Sequence, residues 1–397
     1  MPNSDRLQND GSRPARPAEQ TPEARIDSFR SYAVAHPRLV EAKERLLGAL
    51  RGSERNTLIF VLGPTGIGKT TLRLGIERIL IRDSLIELEA DPGRTAVVGI
   101  EAVAPESGNF NWTFFFKLLL EAMEEPLADR KLELSAHDIC RNKLRRRSAG
   151  PRNSASDFRY AVEQVLQCRR PAAVLIDAAQ HLAKISSGRK LLDQLDVVKS
   201  IANRTGTPHV LFGTYDLLSF RNLSAQLSRR SCDIHFRRYC AEDEEDRKIF
   251  LNVLGTFARH LPLPAMPDLA KDWELLYERS LGCIGVLKEW LIRALRAVLS
   301  HSRNTISRRD LECHALSASQ CARMLTELKD GEAQLGDDNE THRRLLAGLG
   351  LPIQRAAAAN EDSRHSVAAA KIAVSPGHRL PRRDRIGRDA ALAVEPV

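Results

Sequence analysis

The sequence predicts an α/β protein: a three-layer domain built on a parallel β-sheet, then a smaller helical domain, between termini expected to be disordered. Three observations predict it. Residues 57–71, TLIFVLGPTGIGKTT, run from an apolar strand through a glycine-rich turn into a helix. Further short apolar runs then alternate with helical patterns, the arrangement of a parallel sheet covered on both faces. From Glu242 to about Ala315 the pattern is purely helical, broken only by the proline-rich stretch Leu261–Pro267.

The first strand is Thr57–Leu62, and its helix begins with Thr71-Leu-Arg-Leu-Gly-Ile-Glu-Arg-Ile-Leu. Between them GPTGIGKTT matches the phosphate-binding pattern GxxxxGK[ST], with Gly63, Gly68, Lys69 and Thr70 in register. Such a loop turns backbone N–H groups toward phosphate oxygens, and the helix N-terminus adds partial positive charge. The whole loop therefore counts as candidate binding residues: Gly63, Pro64, Thr65, Gly66, Ile67, Gly68, Lys69, Thr70 and Thr71. Lys69 is expected to reach the β- and γ-phosphates, and the Thr70 hydroxyl to ligate Mg²⁺. A structural glycine turn is the plainer alternative, and the flanking strand and helix argue against it.

A helix is expected around Ser31–Leu50, with Leu39, Ala42, Leu46 and Leu50 on one side. Arg94–Glu101 reads as the second strand and Asn109–Met123 as a helix apolar on most sides. Residues 124–157, which include RNKLRRRSAG, read as a surface insertion with a basic tip. Arg145–Arg147 there could touch a DNA backbone, or be a solvated loop. Ala172–Asp177 is the third strand, Lys190–Ala202 a helix, His209–Gly213 the fourth strand and Cys232–Phe236 a short fifth.

The third strand delivers Asp177 where a P-loop needs a carboxylate for the Mg²⁺ water shell. The residue after it, where many such ATPases carry the glutamate that activates water, is Ala178. Losing a general base costs about two to four orders of magnitude in rate. Glu101, closing the second strand, is the candidate substitute: if the two strands are neighbours it ends beside Asp177. Thr214, after the fourth strand, is a candidate γ-phosphate contact, or else a helix N-cap. Arg229 and Arg230 precede the last strand, where an arginine often completes a neighbouring subunit's site; the alternative is a solvent-facing basic pair. Lys288, on the helix opened by Gly282-Cys-Ile-Gly285, could reach back to the phosphates or lie on the surface.

The bulk numbers bound the partners. A chain of 397 residues with net charge +9 and a pI near 9.3 favours a polyanion such as nucleic acid, although a generally basic protein would look the same. Seven scattered cysteines, odd in number and without a CxxC pair, fit a reduced compartment. Cys313, His314 and Cys321 lack a further ligand at zinc spacing. The polar N-terminus does not resemble a signal peptide, and the most apolar run, Phe110–Met123, is too short to span a bilayer. A cytoplasmic protein without membrane attachment is expected.

Together GPTGIGKTT (63–71), VGIEAVAPESGNFNW (98–112), VLIDAAQHL (174–182), HVLFGTYDLL (209–218), NLSAQLSRRSCDIHF (222–236) and GCIGVLKEWL (282–291) resemble the AAA+ ATPases, more closely the TniB/TnsC-like transposition ATPases related to MuB. The resemblance covers roughly residues 30–310. It implies an AAA+ P-loop domain over 26–240, a helical lid over 241–315, and ATP with Mg²⁺ as cofactors. A disordered leader (1–25), a weakly anchored helical extension (316–355) and a disordered basic tail (356–397) complete the expected organisation. In function it implies an ATP-dependent regulator of transposition that forms a ring or filament on double-stranded DNA and recruits or stimulates a transposase. Ala178 departs from the family pattern and keeps a second reading open, an ATP-binding scaffold with little hydrolysis. A third, an ExeA-like secretion ATPase, calls for peptidoglycan-binding or membrane segments that are not read here.

Overall fold

Strand β1 (Leu58–Leu62) is buried along its whole length, because a strand pairs with it on each side. The computed structural model describes residues 21–52, 58–105, 110–125, 155–183, 188–219, 231–335 and 339–351. Five parallel strands are ordered β2-β3-β4-β1-β5, with β2 at Val98–Glu101, β3 at Val174–Asp177, β4 at His209–Gly213 and β5 at Ser231–His235. Side chains alternate across the sheet, so β1 feeds two cores. Leu58, Phe60 and Leu62 join one core with Val174, Ile176 and Leu211. Ile59 and Val61 join the other with Leu175, Val210 and Phe212.

Helices α2 (Pro37–Arg51) and α3 (Lys69–Asp83) cover the second face through Ala42, Leu46, Leu72, Ile76 and Leu80. The first face is covered by α5 (Trp112–Ala122), α6 (Ala155–Arg169) and α7 (Gly188–Thr205). Asn111 starts α5 by accepting from the Phe114 amide at 3.0 Å; Trp112 and Phe115 then pack edge-on against Phe110, and Phe116 lies tilted against Trp112. A short helix α4 (Leu85–Ala90) carries the chain from α3 toward β2.

Several expected boundaries move. The helix expected around Ser31–Leu50 starts later, as α2, with Pro37 in its first turn, and a separate helix, α1 (Pro22–Ser31), precedes it across an extended stretch. Residues 22–25, assigned to the leader, therefore belong to α1. Strand β2 starts four residues later than expected, because the Thr95 amide is held by the Arg169 carbonyl at 3.0 Å ahead of the ladder. Strand β5 is shifted back by one residue. Helix α6 was not expected at all; it opens inside the stretch read as an insertion, of which 126–154 lie outside the described residues, as do the leader's first twenty and the tail beyond 351.

A helical cluster follows β5: α8 (Glu244–His260), α9 (Trp273–Ser280), α10 (Ile284–Ser300) and α11 (Arg308–His314). Its core centres on Trp290, Phe250, Phe257 and Leu287, and Ile26 and Phe29 of α1 pack into it. The buried Trp290 satisfies its indole N–H on the Leu311 carbonyl at 2.9 Å. Helix α12 (Ala318–Leu335) continues the same compact unit. The segment expected to be weakly anchored is thus docked at this helix, by the Glu332–Arg238 ion pair and by Leu328 against Leu281. Residues from 338 on form a second unit, whose helix α13 (Asn339–Gly348) ends in a left-handed turn at Gly350.

The turn that aims α10 is under steric control. Leu281 and Gly282 both adopt left-handed backbone, with φ of 57° and 74°. A Cβ on Gly282 would lie 2.0 Å from the Tyr239 carbonyl oxygen. Gly282→Ala is expected to destabilise the protein by about 2–4 kcal/mol in urea or thermal unfolding; unchanged stability would contradict this account of the turn.

Candidate nucleotide site

The loop between β1 and α3 is folded by contacts that only small residues permit. A Cβ on Gly63 would meet the Phe236 carbonyl oxygen at 2.5 Å, and Gly66 and Gly68 have φ of 73° and 115°. Gly68 is the N-cap of α3, so the helix begins at Lys69 and its free amides face the concave side of the loop. The Lys69 ammonium crosses the loop and donates to the carbonyls of Gly63 and Pro64 at 2.8 and 2.7 Å. Burial pushes its pKa down to about 8, against the opposing pull of the Asp177 charge.

Asp177 is buried at the end of β3 and accepts from the Ala178 amide at 2.9 Å. Its second oxygen lies 3.4 Å from Nε of Arg73, which also donates to Glu77 at 2.9 Å. Arg73 was not singled out from the sequence. The signal was there: it stands one turn beyond Lys69 on the same face of α3. Gly99 of β2 makes room for it, since a Cβ there would be 2.7 Å from the guanidinium. Ala178 has φ of 50°, a left-handed conformation that turns the chain sharply out of the strand.

Glu101 lies directly opposite Asp177 in the β2–β3 register and is exposed, so the two carboxylate-bearing strand ends are adjacent as expected. Thr214 follows β4, and its hydroxyl donates to Asp216 at 3.0 Å rather than capping the short 3-10 turn Tyr215–Leu217. Arg229 and Arg230 lie outside the described residues, as does the Arg145–Arg147 run. The Thr70 hydroxyl and the Asp177 carboxylate are hard oxygen donors of the kind Mg²⁺ takes, so the donor set fits that ion.

The Lys288 ammonium donates to the Arg30 carbonyl at 2.6 Å. That carbonyl belongs to the last turn of α1, where unpaired oxygens attract a cation. Lys288 borders a cleft beside the loop, where Ile67, Gly68 and Thr71 face Val34, His36 and Leu39 on one side and Phe257 and Ile284 on the other. Its mainly apolar walls suit a flat ring. His36 stays neutral there: burial lowers its pKa to about 4, and its Nδ1 shares a 2.8 Å hydrogen bond with the Tyr239 hydroxyl.

The loop is bonded to the helical cluster through the first turn of α10. The Val286 amide, in the first turn of α10, donates to the Gly66 carbonyl at 3.0 Å, and a Cβ on Gly285 would sit 2.3 Å from that same oxygen. Beyond the opposite end of the loop lies a cavity of about 280 Å³, between Pro64 and Thr65, the Thr214–Asp216 turn, and Met324, Glu327 and Leu328 of α12.

Residues 52–220 match the family model of the AAA domain. This stretch runs from β1 to β4 and carries the three-layer fold of P-loop NTPases. No curated protein matches the chain. Among solved structures it is similar to the ORC2 protein of Aeropyrum pernix in ADPNP and ADP complexes, with 16% identity, 74% of this chain and 71% of that chain covered, and a TM-score of 0.44. It is also similar to a Walker-type ATPase of Pyrococcus abyssi, with 18% identity, 80% of each chain covered and a TM-score of 0.40. A third likeness is to Drosophila ORC bound to DNA, with 12% identity, 88% and 87% covered, and a TM-score of 0.46. At these scores the three carry no functional argument. No helix among the described residues is long and apolar enough to cross a membrane.

The buried lysine makes a pH prediction. With a folded value near 8 and an ordinary value of 10.5, the unfolded chain holds more proton between those limits, so this group makes stability rise with pH there. Phosphate binding has the opposite sign, because it needs the protonated ammonium. ADP affinity measured by titration calorimetry should be level below pH 8 and fall by up to about tenfold per unit above it, with proton uptake on binding. A flat affinity to pH 9.5 would contradict the assignment.

Proposed function

We propose that the chain is an ATP-dependent switch that assembles on double-stranded DNA and recruits or stimulates a transposase. The observation that carries the ATP half is the glycine-shaped loop with Lys69 folded across it at the start of α3, and Glu101 in register beside Asp177 at the end of β3. In this reading the loop amides and Lys69 bind the phosphates, and Thr70 and Asp177 hold Mg²⁺, which would neutralise charge on the transferred phosphoryl group. Glu101 orients and deprotonates the attacking water in place of the residue at 178. Thr214 leaves Asp216 to contact the γ-phosphate. Arg229 or Arg230 enters the site of a neighbouring copy, so hydrolysis depends on assembly.

The DNA half rests on the net charge of +9 and on the resemblance of the GTYDLL and QLSRR segments to transposition ATPases. The helices of residues 241–315 serve as the lid, moving with α10 when nucleotide enters. The protein is assigned to the cytoplasm. Ala178 favours one second reading, a DNA-bound scaffold that holds ATP and scarcely turns it over.

Steady-state turnover with and without double-stranded DNA tests both. The switch reading predicts stimulation by DNA, rings or filaments in electron micrographs with ATP, and a Glu101→Gln variant about 10²–10⁴-fold slower with ATP affinity preserved. ATP binding with assembly but no DNA-stimulated turnover would replace it with the scaffold. Neither rings nor filaments under any condition would remove the transposition reading.

A further inference from the structure

Helix α12 is held on the ATPase domain by a small and specific set of contacts. Only Cys321, Leu328 and Gly331 of its eighteen residues are buried. Gly331 lies flat on the Tyr215 ring, where a Cβ would be 2.1 Å from Cδ2. One residue on, Glu332 takes both arms of Arg238, Nε at 2.9 Å and Nη2 at 3.2 Å, and Arg238 also donates to the Tyr277 hydroxyl at 3.3 Å. Leu328 and Cys321 pack on Leu281, next to the turn that aims α10. Met324, Leu325 and Leu335 add only partly buried apolar contact, and a helix that buries so little of itself is an element of the kind that opens without global unfolding.

Its position gives that opening a consequence. The two cavities lie at opposite ends of the phosphate loop: the apolar cleft at Ile67, Gly68 and Thr71, the larger cavity at Pro64, Thr65 and Thr214. With a base in the cleft, the phosphate chain runs along the loop and its last group points into the larger cavity. That cavity is closed from outside by α12, which places Glu327 on its wall and Asp330 on the wall of the adjoining one at Tyr215 and Asp216. Carboxylates there oppose the added charge of a third phosphate and leave a diphosphate, which ends earlier, largely untouched.

We propose that α12 is a detachable strap that closes the γ-phosphate end of the site, so that the resting chain discriminates against triphosphate. This rests on the nucleotide reading of the loop. Release would come when the γ-phosphate displaces Glu327 and the Glu332–Arg238 clamp gives way.

Full-length protein and two variants test it, with fluorescent ADP and ATPγS titrations as readouts. Glu327→Gln removes charge from the cavity wall at an exposed position; Gly331→Val wedges the helix off Tyr215. Both should tighten ATPγS by about fivefold or more while ADP stays within about twofold of the parent. If Gly331→Val loses cooperative melting, Glu332→Gln takes its place, since it weakens the clamp without adding bulk. Variants that fold and bind ADP as the parent does, with unchanged ATPγS affinity, would overturn the strap. Equal tightening of ADP and ATPγS would do the same. Failure of the parent itself to bind ADP would overturn the nucleotide reading, and the strap with it.

Discussion

The hydrogen bond from the Val286 amide to the Gly66 carbonyl ties the phosphate loop to the helical cluster, and the site depends on it. Two glycines make it possible. Gly66 adopts left-handed backbone that turns its carbonyl outward, and Gly285 has no side chain to block the approach of that oxygen. Gly282, four residues before Val286, sets the angle at which α10 arrives. The result is a cleft with one wall from the loop and the other from α10 and the stretch between α1 and α2. Nucleotide binding and the position of the helical cluster are therefore one problem, since neither wall can move without straining this contact.

The loop's other end is governed by charge. Lys69, Asp177, Arg73 and Glu77 form a chain of alternating sign from the loop to the edge of the sheet, with Glu101 alongside at the end of β2. Alternation lets a buried lysine and a buried aspartate coexist without either standing alone in a poorly solvating interior. Glu327 and Asp330 of α12 add negative charge on the far side. Polyphosphate would enter between these two sets.

Much of the sheet was legible because its signals are local. Each strand is a short apolar run ending in a chemically distinctive residue, so Lys69 and Asp177 could be placed from spacing, and Glu101 from strand adjacency. The cleft was not legible in the same way. Val34, Phe257 and Ile284 are ordinary apolar residues in separate elements, and only the docking of α1 onto α8 and α10 brings them together. The partner of Lys288 was illegible for the same reason: Arg30 is 258 residues away in sequence. Helix α12 looked weakly anchored because its attachments, Gly331 on Tyr215 and Glu332 on Arg238, carry no periodic signature. Arg73 was the exception, a legible i,i+4 signal beside a motif strong enough to draw attention from it.

The central claim is that nucleotide affinity depends on the contact between the loop and α10. Its most direct test is the ADP dissociation constant of Gly285→Ala, with Gly255→Ala of α8 as control, because a Cβ at 255 meets nothing within 4 Å. The account predicts about tenfold weaker binding for Gly285→Ala, with the control unchanged in affinity and slightly more stable. A folded Gly285→Ala protein that binds ADP as tightly as the parent would contradict it.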